Sequence, residues 1–506
     1  MSLMPRILRG SAVNVVEQML RLLCALWITP RMVWYLEESG YGLWVVLSTL
    51  FGQFSLLDPG LGASLARFLA RAESSGDQDG LRRALSTGTF FFMGLSGVAL
   101  LAGAAVWLLL PEFESTASRL AESQDLVAAL MCSAGFCWLV QPIRVHLKAR
   151  LRQDLIASTA IIRVLICTLL VAWALERGKG LAFVAWIHTI GFIGEGLLMA
   201  WWNRGFFSLV RRRWADWEKG VELLRFSRWT YVMTSSERLR NEGDPLLLGA
   251  LLGPVPTGVF ALGQRLVRTY FDVAYAVVGT QLLSAFSHLD GLGDRRKLEQ
   301  AYLSASRFSS MLAVLGAGMV WWVGPPFLQR WVPGQAEQAT PVLLWLVPAY
   351  LVYAAQIPGV HLLVSLGRHR LLAWVHFAGL LLNLGTSIWL VYGHGMIGAA
   401  WGTALELSLV YGLALPLLVV RRTGMAASTV FWQALWLPML RTLAVMVPVG
   451  WLTHFWLSAP SYPQIALAIG VHLTVFILAA GLGGLGGEAR GWLALIRRWL
   501  QGEGKG

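Results

Sequence analysis

Long apolar runs separated by short polar pieces dominate the chain. Runs of roughly 18 to 25 residues, enough for a helix to cross a hydrocarbon core, fall near 11–30, 41–63, 86–110, 126–143, 156–175, 181–202, 225–250, 258–284, 305–327, 341–364, 372–392, 397–420, 442–458 and 464–485. This pattern predicts an all-α polytopic membrane protein with about fourteen transmembrane helices. The longest hydrophilic pieces, 64–85, 203–224 and 486–506, are too short to fold as soluble domains.

One run departs from the rest. The stretch 224–258 has the length of a span but holds Arg225, Arg228, Glu237, Arg238, Arg240, Glu242 and Asp244. A charge at the centre of a bilayer helix costs about 2.5 to 3.5 kcal/mol on insertion scales, so these residues must face water, protein or a ligand rather than lipid.

A repeat organises the runs. QPIRVHLKARL (141–151) recurs as QIPGVHLLVSL (356–366), and RGKGLAFVAW (177–186) as YGHGMIGAAW (392–401), both offset by 215 residues. A weaker echo pairs LEESGYGLWVV (36–46) with LGPVPTGVFAL (252–262) at an offset of 216. The unit contains six helices, an even number, so the two copies run parallel, related by an axis along the membrane normal. The expected organisation is a six-helix lobe over 1–203, a basic linker over 204–224, a second six-helix lobe over 225–420, and helices 13 and 14 with a tail over 421–506. A substrate site is expected in a cleft between lobes.

Composition agrees with the pattern: 56% of residues are hydrophobic, 14% charged, and 25 are tryptophan. A formal charge of +13 would suggest nucleic acid in a soluble protein. Here its placement decides, because the inner segments of an inside-start topology collect about 27 basic residues against about five in the outer ones. Both termini are therefore expected in the cytoplasm, and no nucleic-acid partner is expected. Glu17 and Arg21 interrupt the first apolar run and no small-residue cleavage site follows, so it reads as an uncleaved helix rather than a signal peptide. Cys24, Cys132, Cys137 and Cys167 all fall within spans and read as buried thiols, with neither disulfide nor metal role. No GxxxxGK[ST] phosphate loop occurs, which excludes ATP hydrolysis by this motif.

The charges within spans are the candidate chemistry. Arg265, Arg268, Asp272 and Tyr275 share one helix face, and Glu17/Arg21, Arg238/Glu242 and Arg240/Asp244 each lie one turn apart. Such pairs either neutralise one another structurally or line a hydrated, net basic cavity for an anionic headgroup, phosphate being a natural partner of the guanidinium fork. Candidate substrate-binding residues are Arg21, Arg163, Arg225, Arg228, Arg238, Arg240, Arg265 and Arg268. Glu17, Glu195, Glu237, Glu242, Asp244 and Asp272 are candidates for coupling to H+ or Na+. Arg163 and Glu195 read as single charges, and Glu406 and Asn383 as weaker candidates. His146, His361, His376 and His472 read as core or loop histidines, and Asp58 as a local terminator of the second helix with Pro59 and Gly60. No catalytic residue, metal or organic cofactor is expected.

FSLLDPGLGASLARFLA (54–70), NEGDPLLLGALLGPVPTGVFALGQRL (241–266), SLGRHRLL (365–372) and GHGMIGAAWGTAL (393–405) resemble the patterns of polysaccharide and O-antigen flippases of the multidrug/oligosaccharidyl-lipid/polysaccharide exporter superfamily. The resemblance implies two six-helix lobes plus two helices in a bacterial inner membrane. It also implies transfer of a polyprenyl-diphosphate-linked oligosaccharide by alternating access, beside a polysaccharide polymerase and a chain-length regulator. Arg21 is similar in place to a first-helix arginine of peptidoglycan-precursor flippases. A multidrug antiporter of the same superfamily is one alternative, although such a cavity is acidic and aromatic. A membrane glycosyltransferase or polymerase is another, disfavoured by outer loops of about 5 to 13 residues.

Overall fold

A computed structural model describes residues 3–53, 56, 58, 60–113, 117–150, 152–457 and 461–481, and among these residues there is no β-strand. Contacts divide the chain into two compact units, 1–235 and 236–506. In the first, α1 (Leu3–Gly52), α2 (Leu61–Ser75), α3 (Gln78–Phe113), α4 (Ala117–Ala149), α5 (Gln153–Glu176), α6 (Leu181–Trp202) and the short α7 (Gly205–Leu209) lead into α8 (Trp217–Leu251), within which the division falls. The second continues with α9 (Pro254–Gly291), α10 (Arg295–Trp331), α11 (Ala336–Ala355), α12 (Ile357–Ser365), α13 (His369–His394) and α14 (Met396–Leu409). A π-helical turn, Val410–Ala414, then joins α14 to α15 (Leu415–Thr423), followed by α16 (Leu437–Trp456) and α17 (Tyr462–Gly481).

Among the described residues, ten helical segments are long and apolar enough to cross a membrane. They account for every expected span except 11–30, 41–63, 225–250 and 258–284, which fall on α1, α8 and α9. These are the first two spans of each sequence repeat, and they carry nearly all the charges singled out above. Elsewhere the surface is strongly apolar: Trp34, Leu101 and Trp389 are each more than 70% exposed. A water-soluble fold would bury such residues, whereas lipid accepts them.

The repeat is visible in the backbone. α5 begins at 153 and α13 at 369, an offset of 216, and α6 and α14 begin at 181 and 396, an offset of 215. α1 is broken at Glu37 (φ 58°, ψ 177°), and α8 is separated from α9 at Gly253 (φ 87°, ψ −176°), again 216 residues on. This conformation belongs almost only to glycine. The second copy supplies one; the first forces a glutamate into it.

Several expectations need correction. The second helix does not run to 63 but stops at Gly52, and Asp58 starts the next helix rather than ending the previous one. Its carboxylate accepts the backbone N–H of Leu61 at 2.6 Å and of Gly62 at 3.3 Å, satisfying donors at the start of α2. Pro59 lies outside the described residues. Polar piece 64–85 is also more ordered than its composition suggests, because Leu61, Leu65 and Leu69 recur every four residues and bury one face of α2 against Leu85, Phe92, Trp138 and Val145 of α3 and α4. The cysteines also differ from expectation, since only Cys167 is buried and Cys137 is exposed.

In the second unit α13 and α14 approach closely. Gly398 and Gly402 stand one turn apart on α14; a Cβ on Gly402 would lie 2.2 Å from the Ser387 hydroxyl, and one on Gly398 2.3 Å from the Leu390 carbonyl oxygen. Without lipid-excluding hydrophobic force between helices, such small-residue contact is what holds membrane helices together.

Candidate functional site

The second unit concentrates its buried polar groups around Arg240 on α8. Arg240 is 2% exposed. Its guanidinium donates to the Tyr411 hydroxyl at 2.7 Å, the Tyr353 hydroxyl at 3.0 Å, Asn241 Oδ1 at 3.2 Å and Glu406 Oε1 at 3.4 Å. Both tyrosine rings lie about the cation, with centroids 4.8 and 5.2 Å away. The Tyr353 hydroxyl donates in turn to Glu237 Oε1 at 2.6 Å. Local sequence explains the convergence: Tyr411 lies in the π-helical turn after α14, and Gly379 on α13 leaves room for Glu406, since a Cβ there would fall 2.7 Å from its Oε1. Glu406 Oε2 is buried with no hydrogen-bond partner among the described residues.

One turn further along α8, Asp244 is buried and accepts from the Thr403 hydroxyl at 2.7 Å, while Asn383 donates to the same Thr403 oxygen at 2.8 Å. One-turn spacing places Asp244 beside Arg240, but the two form no ion pair. The tyrosines draw the guanidinium toward α11 and the π turn, and Thr403 holds the carboxylate on α14. Arg238 and Glu242 do pair, at 3.3 Å. On α9, Arg268 donates to the backbone carbonyl of Asn241 at 3.0 Å rather than pairing with Asp272, and Arg265 makes no hydrogen bond or ion pair among the described residues. Asp272 and Tyr275 are exposed, and Phe271 stacks on Tyr353 with centroids 4.1 Å apart.

The first unit holds a separate pair of sites. Arg21 bonds Glu17 one turn away, through Nε at 2.9 Å and through Nη2, with Glu17 buried and Arg21 exposed. Glu195 on α6 is not a single charge: Arg163 on α5 bonds one carboxylate oxygen and Arg144 on α4 the other at 3.1 Å. The Arg163 guanidinium also lies 4.3 Å from the Phe192 ring centroid. The side chains of Arg225 and Arg228 lie outside the described residues.

The four histidines are buried. His146 bonds Asn203 at 3.0 Å and His472 the Ala468 carbonyl at 2.8 Å, while His376 and His361 lie beside the rings of Tyr411 and Tyr275. Sequence spacing finds Arg238/Glu242 and Glu17/Arg21 because each pair sits on one helix. It misses Tyr353, Tyr411, Thr403 and Arg144, and undervalues Glu406, because nothing local marks a partner 51 to 171 residues away.

Comparison with known proteins places the chain. A search of curated protein sequences gives no match. Among solved structures, the lipid II flippase MurJ in an inward closed conformation superposes with a TM-score of 0.69 at 10% identity, covering 94% of this chain and 98% of that one. An inward-facing multidrug resistance MATE family transporter of the MOP superfamily gives 0.68 at 14% identity, with 82% and 98% covered. A MOP superfamily transporter from Pyrococcus furiosus Vc1, described as having a binding pocket of reversed polarity, gives 0.63 at 14% identity, with 83% and 95% covered. The fold is thus that of MOP superfamily transporters. The family described as polysaccharide biosynthesis protein matches residues 7–287, more than half of the sequence, and the chain belongs to that family.

Proposed function

We propose that the chain is a flippase that carries a polyprenyl-diphosphate-linked oligosaccharide from the cytoplasmic to the outer leaflet of a bacterial inner membrane, with both termini cytoplasmic. The observation that carries the reading is the charged, partly buried cluster on α8, α9, α11, α13 and α14, in a family concerned with polysaccharide biosynthesis and on a fold shared with a lipid II flippase. The diphosphate docks on Arg268 and Arg265, which hold no carboxylate among the described residues, while Arg240 stays engaged as the hub of the cluster. Four arginines (238, 240, 265, 268) face five carboxylates (237, 242, 244, 272, 406), a formal charge of −1. One H+ or Na+ at Asp244 neutralises the set, so the ion enters with the anionic headgroup and leaves when the site opens to the other face. The buried Thr403 hydroxyl, which donates to Asp244 and accepts from Asn383, is the neutral group beside that ion. A polysaccharide polymerase and a chain-length regulator receive the product.

Arg268→Ala is expected to abolish surface polysaccharide while membrane insertion stays normal; undiminished polymer overturns the assignment. The excess of carboxylates and the likeness to a multidrug transporter favour a second reading, efflux of organic cations. Ethidium efflux from cells expressing the chain, with normal polymer in its absence, would replace the first reading with the second.

A further inference from the structure

The segment that follows α6 is a fixed surface rather than a loose tether. Ser86 and Thr87 on α3 hold it: the Arg211 backbone N–H donates to the Ser86 hydroxyl at 3.1 Å, and that of Asp216 to the Thr87 hydroxyl at 3.0 Å. The Phe206 ring is buried beside His146, anchoring the short α7 from within.

On this anchored segment arginine and aromatic residues alternate. Three guanidinium groups, from Arg82, Arg211 and Arg213, lie 5.2 to 5.3 Å from the ring centroid of Trp214. Arg204 is placed likewise 5.2 Å from Trp201. Arg82 pairs with Asp79 at 3.6 Å, but among the described residues neither Arg211 nor Arg213 has a carboxylate partner, and Arg211, Arg212 and Arg213 are all exposed. Phe207 and Trp201, 60% and 55% exposed, project from the same stretch. Like charges gathered on one indole repel unless an anion sits among them, and exposed aromatics beside them suit the boundary between headgroups and acyl chains.

The geometry points to a binding site for anionic phospholipid headgroups, built on Arg211, Arg212, Arg213 and the Trp214 ring. A phosphodiester accepts hydrogen bonds from the arginine forks while Phe207 and Trp201 enter the acyl boundary, so a lipid surface satisfies both halves of the pattern at once. A soluble phosphate would satisfy only the first. The site lies within the first unit and does not depend on the transported molecule.

The full-length protein, purified in detergent and delipidated, tests this by native mass spectrometry during titration with phosphatidylglycerol and, separately, phosphatidylcholine. Each arginine near an anionic lipid surface contributes about fivefold in affinity, so Arg211→Gln/Arg212→Gln/Arg213→Gln is expected to weaken phosphatidylglycerol binding by at least tenfold, leaving phosphatidylcholine unaffected. The triple lysine variant should retain most of the binding, and Arg421→Gln/Arg422→Gln, which removes charge elsewhere, should match wild type. Unchanged phosphatidylglycerol binding in the triple glutamine variant, with its monodisperse elution intact, overturns the proposal. So does selective loss of undecaprenyl diphosphate binding with phosphatidylglycerol binding retained, which would make the segment a substrate entrance. Because the readout is lipid binding without transport, failure of the flippase reading would leave either result interpretable.

Discussion

Arg240 and Glu406 offer a sharp test of what the buried cluster contributes. Arg240→Met keeps most of the stem volume but leaves Glu406, fully buried, with one oxygen newly unpaired and the other already without a protein partner. Removing one member of a buried ion pair costs about 3 to 5 kcal/mol, chiefly because the remaining charge is stranded. Glu237 adds little to that figure: it lies 4.0 Å from Arg240 with 37% of its side chain accessible, so solvent screens it to about 0 to 1 kcal/mol. Arg240→Met/Glu406→Gln removes both charges and should recover all but about 1 to 2 kcal/mol, the residue reflecting the lost tyrosine contacts. Thermal unfolding of detergent-solubilised protein, followed by tryptophan fluorescence, should rank wild type first, the double variant close behind and the single variant well below. A double variant as unstable as the single one would refute the reasoning, because stability would then derive from the tyrosine bonds and not from neutralising Glu406. Polysaccharide export should be lost in both variants.

Three further outcomes are expected. Glu37→Gly releases a side chain from a conformation that costs on the order of 1 to 3 kcal/mol outside glycine, so the melting temperature should rise; a fall would mean that the Glu37 side chain contributes more than its backbone strain costs. Gly402→Ala forces α14 from the Ser387 backbone and should destabilise by about 1 to 3 kcal/mol, whereas Gly393→Ala, with open space around it, should not shift the melting temperature. Asp294 caps α10 through the backbone N–H of Lys297 at 3.1 Å and meets its ammonium at 2.9 Å, which together hold the carboxyl below its ordinary value. A depressed carboxyl stabilises above its unfolded pKa and loses that contribution as pH falls through the folded one, so exchange protection at the start of α10 should drop only on acidification below about pH 4, and Asp294→Ala should remove that dependence.

Much of the fold was legible because apolar length and repetition are local. The fourteen runs located the ten strongly apolar segments, and the offset of 216 tied residue 37 to 253 before either backbone angle was known. The end of the second helix is not legible, because LLDPGLG contains both a stop and a start, and Asp58 serves the start. The site was legible in its residue types more than in its pairings. One-turn spacing correctly joined Arg238 to Glu242, then joined Arg240 to Asp244 by the same rule and failed, since Tyr353, Glu406 and Tyr411 compete for the guanidinium from 113 to 171 residues away. Arg163 and Glu195 escaped for the same reason, lying on neighbouring helices at 32 residues' separation.

The distance along the chain from Arg240 to its partners also governs synthesis. Glu406 follows Arg240 by 166 residues, so at roughly 5 to 20 residues per second the ribosome delivers α8 about 8 to 33 seconds before its carboxylate partner exists. Neither α8 nor α9 is among the ten strongly apolar segments of the described residues. Arg240 therefore meets its buried partners only once α11 and α14 have been made, so the polar cluster closes late in the assembly of the second unit.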